Sequence, residues 1–221
     1  MRFIRDNMES AAIALGQRLR SELAAGRRVL WLVSGGSNIG PSVSIMKSLS
    51  GELSRNLTVI PCDERYGQPG HVDSNWQQLL DGGFDGKQAT LLPALKEGLD
   101  FNQNTSFYND LMAKATSSAD VIIVQLGMGS DGHVSGILPK TPACRETVES
   151  IVNYEAPPLR RMTSTFHNLR QASAIYLLAY GEGKADQLRR LKAEDVPLDE
   201  QPAQILKEIS EAYVYNDQVE D

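Results

Sequence analysis

An eight-residue segment near the middle of the chain combines acid–base groups with a permissive backbone. The segment, residues 126–133, reads LGMGSDGH and follows the apolar run 121–124 after a single residue, Gln125. Glycine lets backbone N–H groups approach a ligand closely, and a histidine can transfer a proton near neutral pH. The acid Asp131 beside His133 therefore predicts a catalytic loop in which His133 is the general base. The alternative is a capped turn that carries a surface histidine.

The same segment also fits the dinucleotide-binding fingerprint, Gly127-x-Gly129-x-x-Gly132. That fingerprint requires a helix that begins at its last glycine. Gly136 and Pro139 interrupt the residues that follow, and proline inside a helix costs roughly 3 kcal/mol. A nicotinamide cofactor is therefore not expected.

Three further polar clusters each follow an apolar run that is typical of a buried strand. They are SGGSN at 34–38, DER at 63–65 and GEGK at 181–184. Parallel sheets bind ligands in the crevice beyond the carboxyl ends of their strands. The three clusters and the 126–133 segment are therefore expected to meet along one edge of a sheet.

Two of these clusters contain groups that can bind anions and sugar hydroxyls. The backbone N–H groups and hydroxyls of Ser34-Gly35-Gly36-Ser37, at the start of a helix, can cradle a phosphate, although a tight turn would use the same residues. At the next strand end, Asp63 can orient a substrate hydroxyl, and Arg65 can bind an oxyanion or phosphate. A solvated charge run is the other interpretation of 63–65.

Two more cations are candidates for a phosphate site. Lys184 lies in the first turn of a predicted helix, where a cation opposes the helix dipole by roughly 0.3–1 kcal/mol. A bound anion would offset that cost. Arg161 follows Pro157-Pro158 and is either a second phosphate ligand or solvated surface.

A metal site is not expected from the spacing of potential ligands. Asp63, Glu64, Asp131 and His133 can meet only through the fold. The chain contains no HxH, HExxH or CxxC spacing.

Composition places the chain among cytoplasmic globular proteins. Hydrophobic residues make up 41% of its 221 residues, and the formal net charge of −6 argues against a nucleic-acid surface. Cys62 and Cys144 suggest no disulfide framework. No apolar stretch approaches the ~20 residues of a membrane span, and Asp6 and Glu9 interrupt any secretory signal. Oligomeric state remains open between a monomer and a small homo-oligomer.

Hydrophobic periodicity predicts alternating strands and helices. Helices are expected over 8–23, 42–49, 74–80, 101–115, 184–192 and 202–209, and strands over 28–33, 57–61, 121–124, 173–180 and 212–215. Residues 66–75 are expected to form a surface loop. The alternation predicts an α/β fold in three layers, with a mostly parallel, Rossmann-like sheet covered by helices on both faces, in a single domain over 1–221.

Together the motifs resemble the 6-phosphogluconolactonase family, within the wider glucosamine-6-phosphate isomerase/deaminase fold group. Five segments match in order over nearly the whole chain: Ser34–Ser37, Asp63-Glu64-Arg65 with Ser74-Asn75, Gly127–His133 with Pro139, Pro157-Pro158 with Arg161 and Thr163, and Gly181-x-x-Lys184-Ala185. The resemblance implies a sugar-phosphate isomerase-like fold.

The resemblance also implies an activity and residue roles. The activity is hydrolysis of 6-phospho-D-glucono-1,5-lactone to 6-phosphogluconate in the pentose phosphate pathway, without cofactor or metal. His133 would activate water, while Asp63, Arg65 and Asp131 would orient or polarise groups. The phosphate would be held by Ser37, Arg161 and Lys184, together with the glycine backbone.

Two alternatives and three departures from the family pattern remain, and one departure is that residues 66–73 contain more glycine and histidine than the pattern leads us to expect. Glucosamine-6-phosphate deaminases resemble the pattern Asp-Glu-Tyr, with an acid after the histidine, whereas Arg65 stands here and 136–139 reads GILP. A non-catalytic sugar-phosphate sensor is the other alternative. Asn38-Ile39 replaces the usual Thr-Pro, and Ala156 stands where a lysine often precedes the prolines. These departures bear on the phosphate grip and the exact substrate.

Overall fold

The computed structural model describes residues 1–220, which contain ten strands in two sheets. The strands are β1 (Arg2–Arg5), β2 (Val29–Val33), β3 (Leu57–Pro61), β4 (Asp63–Arg65), β5 (Thr90–Leu91), β6 (Val121–Gly127), β7 (Ile151–Ala156), β8 (Leu159–Ser164), β9 (Ala174–Ala179) and β10 (Ala212–Asn216). The central sheet has the order β1-β10-β9-β6-β2-β3-β5, and all of its pairs are parallel. A smaller antiparallel sheet has the order β4-β8-β7.

Helices cover both faces of the central sheet. They are α1 (Met8–Ala24), α2 (Ile39–Ser48), α3 (Gly51–Ser54), α4 (Asn75–Asp81), α5 (Phe101–Ser118), α6 (Phe166–Leu169) and α7 (Ala185–Ala193). The packing of α1, α2 and α4 forms one core, whereas α5, α6, α7 and the smaller sheet form the other. The three-layer α/β architecture expected from the sequence is therefore confirmed.

Each central strand supplies both cores by alternation. In β2, Leu30 and Leu32 pack on the α5 side, and Trp31 packs on the α1 side. Because both faces are covered, these strands are continuously apolar. Helix starts are fixed by side chains, as where Ser74 Oγ accepts the N–H of Gln77 at 3.0 Å to cap α4.

The structure differs from the sequence prediction in several elements, and strands β5, β7 and β8 and helices α3 and α6 have no counterpart in the prediction. Residues 63–65 form strand β4 rather than a loop, because they pair with β8. The edge strand β1 was not expected, since four residues with two exposed arginines carry little apolar pattern. The expected helix at 202–209 is a 3₁₀ helix over Pro202–Glu208. Among residues 1–220, none of the helices combines the length and apolar character needed to cross a membrane.

Candidate active site

A cavity of about 250 Å³ lies at the carboxyl edge of the central sheet, where β2, β3, β6 and β9 end. Its lining brings together almost all the residues that the sequence singled out: Ser34, Gly35, Gly36, Ser37, Asp63, Arg65, Gly127, Gly129, His133, Arg161 and Lys184. Asp131 is the exception and reaches the cavity only through His133. Four lining residues were not anticipated as site residues: Asn38, Asn75, Met128 and Ser135.

The imidazole of His133 is oriented by the neighbouring carboxylate. Its Nδ1 lies 2.6 Å from Asp131 Oδ1, and the His133 backbone N–H donates to the same oxygen at 3.1 Å. A carboxylate acceptor places the ring proton on Nδ1, which leaves Nε2 as the basic nitrogen. The hydrogen bond from His133 lowers the pKa of Asp131 below its usual 3.8, against the opposing effect of desolvation. Asp131 is therefore ionised at neutral pH.

Glycine is required in the loop that carries this pair. A Cβ on Gly129 would lie 2.2 Å from His133 Nδ1, so no side chain fits between the backbone and the imidazole. Gly132 has a φ of +85°, a left-handed conformation that other residues rarely adopt. The loop closes on itself through the Gly129 N–H, which donates to the His133 carbonyl at 2.9 Å. Gly129 therefore leaves the space that the imidazole of His133 occupies.

The glycine loop after β2 is held against β6 by buried side chains. The Ser34 hydroxyl donates to the Gln125 carbonyl at 2.9 Å, so this hydroxyl is engaged within the protein. A Cβ on Gly35 would lie 2.2 Å from Asn75 Oδ1, which explains the glycine there. The N–H groups of Gly36 and Ser37 donate to no backbone acceptor in residues 1–220. They open the helical turn that leads into α2 and can bind an anion.

Asp63 is a buried carboxylate with fixed geometry. Its Oδ2 accepts a hydrogen bond from Asn75 Nδ2 at 3.1 Å, and the same amide donates to the Asp63 carbonyl at 3.0 Å. The side chain lines the cavity and is only 7% exposed. This arrangement suits a group that orients a substrate hydroxyl.

The carboxylate of Glu64 has a structural role that could not be predicted from the adjacent residues. Its carboxylate is fully buried and accepts from the N–H groups of Arg65, Asn75 and Trp76 and from the Ser74 hydroxyl, at 2.7–3.0 Å. Burial raises the pKa of Glu64, and these donors oppose the rise. The carboxylate thus ties the start of α4 to β4. It positions Asn75 and Arg65 at the cavity.

Three cations line the cavity without an acidic partner. Arg65, Arg161 and Lys184 form no ion pair within residues 1–220. The Nε atoms of both arginines are buried and lack a hydrogen-bond partner in the same part of the chain. Arg65 and Arg161 are also direct cross-strand partners of β4 and β8. Like charges in that position are destabilising, so the pair is suited to a bound anion.

Lys184 follows the end of β9 in the short 3₁₀ turn before α7. Gly181, with a φ of +101°, turns the chain there. Desolvation lowers the pKa of Lys184 below 10.5, and Asp217 partly opposes this at longer range. A half-buried ammonium without a contacting acid is a suitable phosphate ligand.

Other reactive groups near the cavity do not fit a catalytic role. Burial raises the pKa of the Cys62 thiol well above 9.0, and its sulfur contacts Ser34 Oγ at 3.0 Å. Such a thiol is a packing group rather than a nucleophile. Within residues 1–220, no cluster of three or more histidine, cysteine, aspartate or glutamate residues could hold a metal ion.

A larger cavity of about 460 Å³ opens at the opposite, amino-terminal edge of the sheet. It is lined mainly by apolar and small side chains, and in the described chain its lining contains neither a carboxylate nor a histidine. Its Arg28 is already paired with Asp120 at 2.6 Å. The chemistry of the 250 Å³ cavity, not its size, makes it the candidate active site.

The fold and this cavity define an α/β protein with a histidine and three cationic side chains at the carboxyl edge of a parallel sheet. The chain belongs to the family of glucosamine-6-phosphate isomerases and 6-phosphogluconolactonases, whose model matches residues 5–215. The family resemblance predicted from the sequence motifs is therefore confirmed.

The individual relatives include both lactonases and deaminases. The chain is 27% identical over 197 residues to a 6-phosphogluconolactonase of Mycobacterium leprae, covering 80% of this chain and 78% of the relative. It is 27% identical over 231 aligned positions to a glucosamine-6-phosphate deaminase of Lactobacillus johnsonii, covering 97% and 93%. The crystal structure of a 6-phosphogluconolactonase from Shewanella baltica superimposes with a TM-score of 0.80 at 19% identity, covering 97% and 96%. That structural likeness supports the fold.

Proposed function

We propose that the protein hydrolyses 6-phospho-D-glucono-1,5-lactone to 6-phospho-D-gluconate, a step of the pentose phosphate pathway. The proposal rests on one observation above all. His133 presents a basic nitrogen, fixed by the 2.6 Å contact with Asp131, at a cavity that also contains three unpaired cations. The Mycobacterium leprae relative is a 6-phosphogluconolactonase, which supports the same substrate.

Lactone hydrolysis requires a general base, a group that stabilises the oxyanion, and residues that bind the phosphate. His133 Nε2 takes a proton from water, and the resulting hydroxide attacks the lactone carbonyl carbon. The bond from that carbon to the ring oxygen then breaks, and the imidazolium returns the proton to the ring oxygen. Base catalysis of this kind contributes roughly 10²–10⁴-fold. A δ-lactone is an activated ester, so the reaction needs neither a covalent nucleophile nor a metal or redox cofactor.

The remaining side chains divide between the reacting end and the phosphate end of the substrate. Arg65 polarises the carbonyl, and Asp63 orients a sugar hydroxyl. Ser37, Arg161 and Lys184 hold the phosphate with the glycine-loop N–H groups. Fixing the non-reacting end in this way orients the ring for attack.

Deamination of glucosamine 6-phosphate is the second candidate, because the Lactobacillus johnsonii relative covers most of the chain. Isomerisation requires a carboxylate that shuttles a proton between adjacent carbons. Asp63 is the one acid among the residues that line the cavity in the described chain, and Asn75 engages its Oδ2. The segment 136–139, which follows the histidine loop, contributes no carboxylate. These features favour the lactonase.

Parallel assays separate these reactions. We expect loss of 6-phosphogluconolactone well above its spontaneous rate, followed by NMR, and no release of ammonia from glucosamine 6-phosphate. Ammonia release without lactone hydrolysis would replace the proposal with the deaminase. Binding of both sugar phosphates without any turnover would replace it with the non-catalytic sensor.

We expect this reaction from a single cytoplasmic domain that acts without nucleic acid or membrane. The family match over 5–215 supports one domain, and the unpaired Cys62 and Cys144 suit a reducing compartment. A monomer and a small homo-oligomer are both compatible with the site, because all the lining residues come from one chain.

A further inference from the structure

Asn38 lies where the family resemblance leads us to expect threonine, and its side chain lines the candidate active-site cavity. Its residue is only 1% exposed, and it ends the 3₁₀ turn Gly36–Asn38 of the glycine loop. The role of this amide depends on which of its two ends faces the cavity. That orientation can be read from the hydrogen bonds around it.

The backbone carbonyl of Asn38 fixes the neighbouring amide first. A side-chain atom of the fully buried Gln125 lies 3.2 Å from this carbonyl oxygen, which can only accept. That atom must therefore be the amide nitrogen Nε2. On its other side, Gln125 Oε1 lies 3.0 Å from the Ser42 hydroxyl, which also lies 2.9 Å from the Asn38 carbonyl oxygen and can donate its one proton to either acceptor.

The oriented Gln125 then fixes Asn38. Gln125 Nε2 donates its second hydrogen to Asn38 Oδ1 at 3.1 Å. The oxygen of Asn38 is thus engaged inside the protein, and Nδ2 is left as the end with free donors. No described residue accepts a hydrogen bond from Asn38 Nδ2. This nitrogen is not fully buried, so a ligand in the cavity can reach it. It lies against Gly127, whose added Cβ would be 2.7 Å from it.

We propose that Asn38 Nδ2 donates a hydrogen bond to a phosphate oxygen of the substrate, with Gln125 as the positioning residue that presents it. The inference rests on the proposed function, because it assigns a further ligand to the same site. An amide whose oxygen is engaged pairs only with acceptors, and phosphate oxygens are the strongest acceptors such a substrate offers. The position at the end of the glycine loop, beside the start of α2, places this donor with the other anion-binding groups.

The expected effect follows from the strength of a hydrogen bond to a charged acceptor. Replacing Asn38 by alanine should raise KM for the phosphorylated lactone about tenfold or more, with kcat changed less than threefold. Turnover of unphosphorylated glucono-1,5-lactone should stay within twofold. Asn38→Asp keeps the acceptor for Gln125 Nε2 but loses the donor and adds a charge, so KM should rise further.

Gln125 provides the test of orientation. Gln125→Met has a similar size but cannot hold Asn38 Oδ1, so it should weaken phosphate binding in the wild-type background. In the Asn38→Ala background the same change should add less than twofold, because its effect passes through Asn38. Independent, additive losses would overturn the positioning role. Thermal unfolding of each variant identifies those that remain folded, and Asn38→Ala alone tests the donor if Gln125→Met does not fold.

A binding measurement separates this proposal from the proposed activity. Inorganic phosphate is titrated into ¹⁵N-labelled protein, and the Asn38 side-chain amide signal is assigned by its loss in Asn38→Asp. Its shift on titration, with weaker phosphate binding in Asn38→Ala, supports the proposal even if the wild type proves inactive on the lactone. An unmoved amide signal, or equal losses on phosphorylated and unphosphorylated lactone, would overturn it.

Discussion

Asp131→Asn is the change that tests the His133–Asp131 pair with least disturbance. Asparagine has the same shape, and its Oδ1 can still accept from both the Nδ1–H and the backbone N–H of His133. The tautomer and the ring orientation are therefore kept. What is lost is the negative charge that stabilises the imidazolium formed when His133 takes a proton from water.

The expected decrease in kcat can be calculated from the distance between the two charges. With the atoms in contact at 2.6 Å, the charge centres are about 4 Å apart, for which the attraction is about 1 kcal/mol in water and about 4 kcal/mol at an effective dielectric of 20. The two side chains are 31% and 48% exposed, so an intermediate value of about 2 kcal/mol applies. That energy corresponds to about a 30-fold lower kcat.

The assay is the initial rate of lactone opening at neutral pH, corrected for spontaneous hydrolysis. We expect kcat to fall about 30-fold with KM changed less than threefold. Asp186→Asn is the matched control, because it removes an acid that is 94% exposed on α7 and, within residues 1–220, forms an ion pair with Arg189 alone. A kcat within twofold of wild type for Asp131→Asn, or a loss carried entirely by KM, would refute the role of the charge.

Four other predictions follow from the same site. Lys184→Ala should raise KM for the phosphorylated lactone at least tenfold and leave the unphosphorylated lactone unaffected, so equal losses on both would remove Lys184 from the phosphate site. Because desolvation lowers the pKa of Lys184 below 10.5, its positive charge is lost at a lower pH than that of an ordinary lysine. KM should therefore rise as the pH increases through that lowered pKa for wild type and remain flat for Lys184→Arg. Glu64→Gln leaves at least two of four buried donors without an acceptor, which should lower the free energy of unfolding by about 3 kcal/mol in urea titrations, and a loss below 1 kcal/mol would contradict the structural role. Chelators should leave activity intact, and an enzyme inactivated by chelation and restored by zinc would point to a metal.

The central fold was predictable because its strands and helices have strong, separate patterns. Buried parallel strands such as β3 are continuously apolar, and the predicted bounds 57–61 agree with Leu57–Pro61. The smaller antiparallel sheet was not predictable. Its strand β4 consists of three charged residues whose extended conformation depends on pairing with β8, a contact between residues almost a hundred positions apart. Local pattern carries no information about such a pairing.

The site residues that could be predicted are the charged or reactive side chains that follow the ends of predicted strands. His133, Asp63, Arg161 and Lys184 do line one cavity, although their roles remain predictions. The supporting residues were not predictable, because asparagine and glutamine have no characteristic spacing. From the sequence, Gln125 is expected only to be part of a buried strand. Its hydrogen bonds to Asn38 in the glycine loop are visible only in the structure.

The departures from the family pattern have separate structural meanings. Ala156 ends β7, pairs with Leu159 and lies outside the residues that line the cavity. Asn38, in contrast, faces the cavity. The 66–73 loop is tied to the site through Arg65, whose Nη1 donates to the Asp73 carbonyl at 2.9 Å and whose own carbonyl lies 2.9 Å from His71 Nε2.

The most direct test of the account is lactone hydrolysis by wild type and by His133→Ala. 6-Phosphogluconolactone is generated in situ, and its loss is followed by NMR against the spontaneous rate without protein. We predict hydrolysis well above background for wild type and a kcat at least a hundredfold lower for His133→Ala, with an unchanged thermal unfolding midpoint. Near-full turnover by His133→Ala, or a wild-type rate equal to the background, would contradict it.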